Sequence, residues 1–154
     1  MNLNLIKRHR NLNFIKLKMV KNKYIQLKDK IQKEINKFPC FFAFSEEQFK
    51  EGLKELKTTK ENIISVGYGG FIKKEDKKNY LDMFKNHNKE MEQARKDNLF
   101  LYEMFYYELA NHEFIITYDY TDTLNSLGLE YEDLNQREVT ILEKAKTQYL
   151  NNQD

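Results

Sequence analysis

Residues 98–110 constrain this chain more than any other stretch. Ten of those thirteen positions are apolar or aromatic: Leu99, Phe100, Leu101, Tyr102, Met104, Phe105, Tyr106, Tyr107, Leu109 and Ala110. The run is too short for a bilayer, which takes about 20 apolar residues. A helix that is apolar nearly all round must instead be enclosed by protein, so the rest of the chain is predicted to wrap around it. The 154 residues suffice for a domain that buries roughly two-thirds of its unfolded surface without covalent staples. With 11 Phe and 10 Tyr, the composition excludes a wholly disordered chain.

The elements expected around this helix follow from periodicity. Leu17, Val20, Tyr24, Leu27, Ile31, Ile35 and Phe38 recur three or four residues apart, as one stripe on a long basic helix that Pro39 ends. Its seam allows packing on the rest of the chain or on a second copy. Cys40 to Phe44 reads as an apolar connector. Ser45, with Gln48 three residues on, has the spacing of a capping box and opens a helix to about Lys57 with Phe49, Leu53 and Leu56 inward. Ile63-Ile64-Ser65-Val66 and Phe71-Ile72 flank Gly67-Tyr68-Gly69-Gly70, the pattern of two short strands joined by a structural turn. A helix from Glu75 or Asp76 would show Leu81, Phe84, Asn88, Met91 and Ala94. Asn111 is expected to close helix 98–110 in a left-handed conformation. Phe114 to Tyr118 reads as a third short strand or an extended connector. Thr121 would cap a short helix that Gly128 stops, and 136–150 form a last amphipathic helix through Val139, Leu142, Ala145 and Tyr149. The fold class is α+β, mostly α: a compact helical domain with a two- or three-stranded sheet. Residues 1–12 would be a flexible basic leader, 13–150 one domain and 151–154 a frayed tail.

The net charge of +2 hides a gradient. Residues 1–39 carry 11 Lys/Arg against 2 acids, residues 40–97 carry 12 against 11, and residues 98–154 carry 3 against 11. Such asymmetry marks an interaction tail or an intramolecular pairing of the basic arm with the acidic half. The single cysteine, Cys40, allows no internal disulfide and no multi-cysteine zinc site, and fits a reducing, cytoplasmic setting. No secretory signal pattern is present, and no membrane association is expected. The abundance of Lys and Asn beside one Pro and no Trp points to an AT-rich bacterial, phage or plasmid genome.

Candidate chemistry is sparse. Gly67, Gly69 and Gly70 lack the Gly-Lys-Ser/Thr of a phosphate loop and read as a structural turn in which Gly69 or Gly70 has positive φ. His112-Glu113 is half of a zinc-helix motif without its second histidine, so no metal and no cofactor is expected. Glu108, His112 and Glu113 leave a weak hydrolase possibility, while Cys40 after Pro and before Phe-Phe has no thiolate-stabilising neighbour. No catalytic residue is assigned and the expected answer is not an enzyme. Lys16, Lys18, Lys21 and Lys23 offer phosphate contacts or a docking site for an acidic partner. Glu130, Glu132 and Asp133 offer an acidic face for a basic partner.

Four segments together resemble a known family. They are Phe41-Phe42-Ala43-Phe44-Ser45-Glu46-Glu47-Gln48-Phe49-Lys50-Glu51-Gly52, Val66-Gly67-Tyr68-Gly69-Gly70-Phe71-Ile72, Tyr107-Glu108-Leu109-Ala110-Asn111-His112-Glu113-Phe114 and Asp122-Thr123-Leu124-Asn125-Ser126-Leu127-Gly128-Leu129. Their order and spacing are similar to an uncharacterised domain-of-unknown-function family of small phage and mobile-element proteins from gut and low-GC bacteria, over about residues 24–150. The resemblance implies a phage context and assigns no activity. Small phage proteins without catalytic motifs often antagonise host defence, so the resemblance implies a non-enzymatic, anti-CRISPR-like inhibitor that binds a nuclease complex, a host defence protein or ribonucleoprotein. The alternative is a nucleic-acid-binding accessory protein using the lysine-rich N-terminal helix, with a homodimer through that helix also open.

Overall fold

The computed structural model describes residues 22–153. Lys16, Lys18 and Lys21, with the leader expected over 1–12, lie outside them. In chain order the elements are α1 (Lys23–Lys37), β1 (Cys40–Phe42), α2 (Glu46–Glu55), β2 (Ile63–Gly67), β3 (Gly70–Lys73), α3 (Lys77–Ala94), α4 (Asn98–Asn111), α5 (Phe114–Thr117), α6 (Thr121–Asn125) and α7 (Gln136–Asn151), with 3₁₀ turns at Lys60–Asn62, Lys74–Asp76 and Tyr131–Asp133. The fold is α+β, mostly α, with one small antiparallel sheet. The described residues form two compact units, one of residues 30–90 and one of the remainder, and α1 and α3 contribute to both.

In unit 30–90 the sheet runs in the order β1-β3-β2. Residues 68 and 69 are the two-residue turn of the β2–β3 hairpin, with φ of 49° at Tyr68 and 76° at Gly69. Positive φ at both central positions is what a hairpin turn matched to strand twist requires, so the glycine-rich segment is a structural turn. The third strand is Cys40–Phe42, pairing Cys40 with Ile72 and Phe42 with Gly70. That segment was expected to be a connector. The Phe41 ring stacks on Phe71 at 5.3 Å and meets Phe49 of α2 edge-on at 5.8 Å. Ser45 accepts the Gln48 N–H, and the Gln48 side chain accepts the Phe44 N–H. Both capping bonds thus form, the second one residue further out than in the standard box. On α3 the buried face holds His87, while Leu81 and Asn88 are exposed. Phe84, Met91 and Ala94 keep their expected inward places, whereas Tyr80 and His87 stand where Leu81 and Asn88 are expected. Phe38, Tyr80, Phe84 and His87 meet edge-on in series, and these aromatic contacts set the phase.

The second unit is built on α4. Phe100, Leu101, Met104, Phe105 and Leu109 are buried, joined by Tyr24 of α1, Phe114, Leu124, Leu134 and, from α7, Leu142, Ala145 and Tyr149. Of the expected core positions on α4, Leu99 and Ala110 face out. Asp97 caps α4 by accepting the Leu99 and Phe100 N–H groups. Its C-terminus departs from expectation: Asn111 is helical, His112 is the cap, and the left-handed residue is Glu113, at φ 49°. The stretch 114–118 is one helical turn, not a strand. Phe114 is drawn into the core and stacks on Tyr120 at 4.9 Å, and left-handed residues at both ends, Glu113 and Tyr118, break any extended run. Thr121 is the first residue of α6 and not its cap: the cap position is Tyr120, which makes no side-chain capping bond, and Asp119 before it accepts the Thr121 N–H at 2.8 Å. Asn135 and Glu138 form a full capping box on α7.

Candidate functional site

Of the three residues behind the hydrolase possibility, two meet. Glu108 and His112 share a face of the α4 terminus, with His112 Nε2 3.5 Å from Glu108 Oε2, while Glu113 is exposed on the left-handed bend beyond. Glu108 is only 2% exposed. It accepts a very short hydrogen bond from the Tyr24 hydroxyl, one from Lys28 Nζ at 2.8 Å and one from Asn111 Nδ2 at 3.2 Å. Burial pushes its carboxyl up, but the Lys28 and Tyr24 hydrogen bonds outweigh that and hold it below its ordinary range. Burial and Glu108 together push the Tyr24 phenol far up. Lys28 also lies over the Tyr24 and Tyr107 rings, 5.2 and 4.9 Å from their centroids. The Glu108 carboxylate is thus taken up by its neighbours, while His112 Nε2 beside it is buried without a hydrogen-bond partner.

A second cluster, in unit 30–90, joins α1 to α3. His87 Nε2 is 2.7 Å from Glu34, and Lys30 bridges Glu34 and Glu90. Among the described residues no group of three or more His, Cys, Asp and Glu is arranged to hold a metal ion. Cys40 is half-buried, and burial pushes its thiol up.

The acidic face lies on a groove of about 700 Å³ formed by residues 118–132. Tyr118, Tyr120 and Tyr131 supply rings, Asp119, Glu130 and Glu132 supply carboxylates, and Leu124 and Leu129 supply apolar surface; none of the lining residues is Lys or Arg. Asp133 is exposed on the same 3₁₀ turn as Glu132 but does not line the groove. Tyr120 and Tyr131 stack at 5.8 Å. The Tyr120 hydroxyl donates to Glu143 at 2.6 Å, and Lys146 lies 5.9 Å from its ring centroid. Tyr118 is 65% exposed and Tyr131 42%. The Thr121 hydroxyl and N–H hold the Asp119 carboxyl below its usual range. A groove with cation-attracting rings and carboxylates suits a guanidinium or ammonium group.

Of the lysine set only Lys23 lies among the described residues. Its ammonium pairs with Asp97 at 2.6 Å and its backbone N–H donates to Glu103 at 2.7 Å. Sequence reasoning placed Glu130 and Glu132 but missed the tyrosines beside them, whose spacing follows no single helix or strand. It also missed the exposed aromatics of unit 30–90, Phe42, Phe44 and Tyr68, the last 98% exposed at the hairpin tip.

Residues 23–152 match the model of DUF7659, a family of unknown function. The chain belongs to this family. The DUF7659 match covers both units and the groove, and it leaves the basic residues before Lys23 outside. No curated protein and no solved structure matches the chain. Among the described residues no helix is long and apolar enough to cross a membrane.

Proposed function

We propose that this DUF7659 protein acts by binding, as a phage or mobile-element antagonist of a host defence complex, and that the groove of residues 118–132 meets a basic surface on that partner. The observation that carries the reading is the groove's composition: three tyrosines and three carboxylates with no cation among the lining residues. A surface of this kind competes for a nuclease channel that normally takes a polyanion, and long-range attraction speeds its association at low salt. The phage setting comes from the sequence resemblance. The enclosure of Glu108 supports a non-enzymatic role, since a general acid or base has to reach its substrate.

The test pairs Glu130→Lys with Asp133→Lys and measures inhibition of target cleavage by nuclease complexes of the bacterial host. The double variant should lose inhibition while melting where the wild type melts. Replacing Lys16, Lys18, Lys21 and Lys23 by Glu should do less. If the lysine replacements alone abolish activity, and the wild type binds bare duplex DNA with steep salt dependence, the acidic-face reading is wrong. The accessory nucleic-acid-binding role then takes its place.

A further inference from the structure

We propose that the exposed rings of Phe42, Phe44 and Tyr68 are an interface between two copies of this chain, packed sheet against sheet about a two-fold axis. The surface belongs to unit 30–90 and shares no residue with the groove of residues 118–132.

One face of the sheet is covered and the other is covered only in part. Phe41 and Phe71 pack on Phe49 of α2. Side chains alternate along a strand, so Cys40 and Phe42 point the other way, with their partners Ile72 and Gly70. At the Cys40 end this second face is closed, and Ile72 is fully buried. At the hairpin end it is open: Phe42 is 61% exposed, Phe44 79% and Tyr68 98%. The first two rings lie against turn backbone. A Cβ at Gly70 would come 3.2 Å from Phe42 Cε1, and one at Gly69 would come 2.6 Å from Phe44 Cε1. Val66 borders the same Gly70, its Cγ2 3.0 Å from that Cβ position.

Area, charge and shape say what covers this face. A buried aromatic side chain removes about 150–250 Å² from water, so the three exposed fractions leave roughly 350–600 Å² of ring surface per copy. That is as much as the largest apolar patch of an ordinary monomer, about 300–600 Å². Two copies packed on one another hide roughly 700–1,200 Å² from the rings alone, against about 1,200–2,000 Å² for a standard interface. Val66 and the exposed backbone of Gly67 add to it. Charge excludes polyanionic and cationic partners. Residues 38–45 and 62–72 are the two longest uncharged runs in a chain that is 32% charged, and they hold every sheet residue but Lys73. The first charges after Phe44 are Glu46 and Glu47, which repel nucleic acid. An uncharged aromatic face takes an uncharged apolar counterpart, and a second copy presents one. The shape is self-complementary as well. A Cβ at Gly67 would meet nothing within 4 Å, and the Tyr68 ring beside it projects free of its own chain. A two-fold sets the Tyr68 ring of each copy over Gly67 of the other, the pairing an isologous interface requires. The α1 stripe, which the sequence offers as a seam for a second copy, is used within the chain: Tyr24 is buried and Leu27 packs on the core.

The experiment measures the mass of the full chain by sedimentation equilibrium, from low to high micromolar concentration, at about 0.1 and about 0.5 M salt. A dimer should form within that range and hold at the higher salt, because apolar burial is not screened. Phe44→Ser and Tyr68→Ser should each weaken it by about tenfold or more, as loss of an aromatic anchor does. Ile116→Ser removes a 70% exposed apolar side chain from the other unit and should leave the dimer unchanged. In the unaltered chain the amide signals of residues 42–44 and 66–70 should shift with concentration. A monomer throughout overturns the proposal. So does a dimer that survives both ring replacements, or one that salt dissolves, which is an association of charged surfaces. If a ring variant melts early, the amide shifts of the unaltered chain decide alone, and shifts confined to other residues place the interface elsewhere. Shifts at the rings on adding a single-stranded DNA oligonucleotide, with no dimer, make the face a base-stacking platform instead.

Discussion

Replacing Glu108 should be among the costliest single changes in this protein, and its cost should depend on pH. The carboxylate is 2% exposed and accepts from Tyr24, Lys28 and Asn111. Glu108→Leu leaves the buried Tyr24 hydroxyl without its acceptor, while the exposed Asn111 amide turns to water. Breaking a buried pair from one side costs about 3–5 kcal/mol. The lower half of that range applies here, because the Lys28 side chain is 42% exposed and its ammonium rehydrates. Glu108→Gln keeps the volume and one acceptor oxygen but loses the charge. Charge-assisted bonds are worth about 1.5–3 kcal/mol and neutral ones about 0.5–1.5, so the loss should be near 2 kcal/mol.

The pH dependence follows from the direction of the shift. Glu108 titrates lower in the folded protein than in the unfolded chain. Its contribution is therefore fully present above the ordinary carboxylate value of about 4.3 and is lost as pH falls through the folded value. Urea unfolding of wild type, Glu108→Leu and Lys28→Met at neutral pH and at successively lower pH is the assay. The destabilisation in both variants should be largest at neutral pH and shrink on acidification. A Glu108→Leu protein as stable as wild type at neutral pH would refute the reasoning. It would place this cluster with the buried ion pairs that apolar residues replace without loss.

Gly52→Ala should destabilise, against the usual sign for a helical glycine. Alanine gains about 1 kcal/mol of helix propensity, but its Cβ would sit 2.0 Å from Phe41 Cδ2, in a ring held by Phe49 and Phe71, and overpacking costs about 1–3 kcal/mol or more; Phe41→Leu in the same chain should recover part of the loss in denaturant melts. Phe105→Ala, at a site with no solvent exposure, should cost about 3–5 kcal/mol, and a thermal shift of only a degree or so would mean that the α4 packing is wrong.

What could be read in the sequence was local. Pro39 ends α1 as expected, helix 98–110 lies in the core, and the stripe Leu142, Ala145 and Tyr149 is buried on α7. Each of these signals sits within one element. The misses depended on distant partners. Cys40–Phe42 becomes a strand only because Cys40 meets Ile72, 32 residues on. Phe114–Thr117 has the composition of a strand, but the stack of Phe114 on Tyr120 overrides β-propensity. Periodicity gives a helix its stripe without fixing its phase against neighbours, which is why Leu81 is exposed on α3. The Asn135–Glu138 capping box is a local signal too, with the Asn-x-x-Glu spacing such a box requires.

The candidate site divides along the same line. Glu108 looked like a catalytic acid because it lies four residues before His112, and nothing in the sequence shows that Tyr24 and Lys28, 84 and 80 residues away, occupy it. A carboxylate held this way is poor at moving protons: its charge is stabilised by neighbours and its exposure is nearly nil. Catalysis there would require α1 to open from α4, which exposes Tyr24 and forfeits its edge contact with Phe100. The residues of the 118–132 groove face the opposite situation. Its tyrosines and carboxylates sit on turns and short helices, where left-handed Tyr118 and Gly128 turn the backbone at no cost to the α4–α7 core. Surface chemistry carried on turns beside a rigid core is the arrangement in which recognition changes without disturbing folding. For this chain that favours the groove over the buried cluster as the place where function resides.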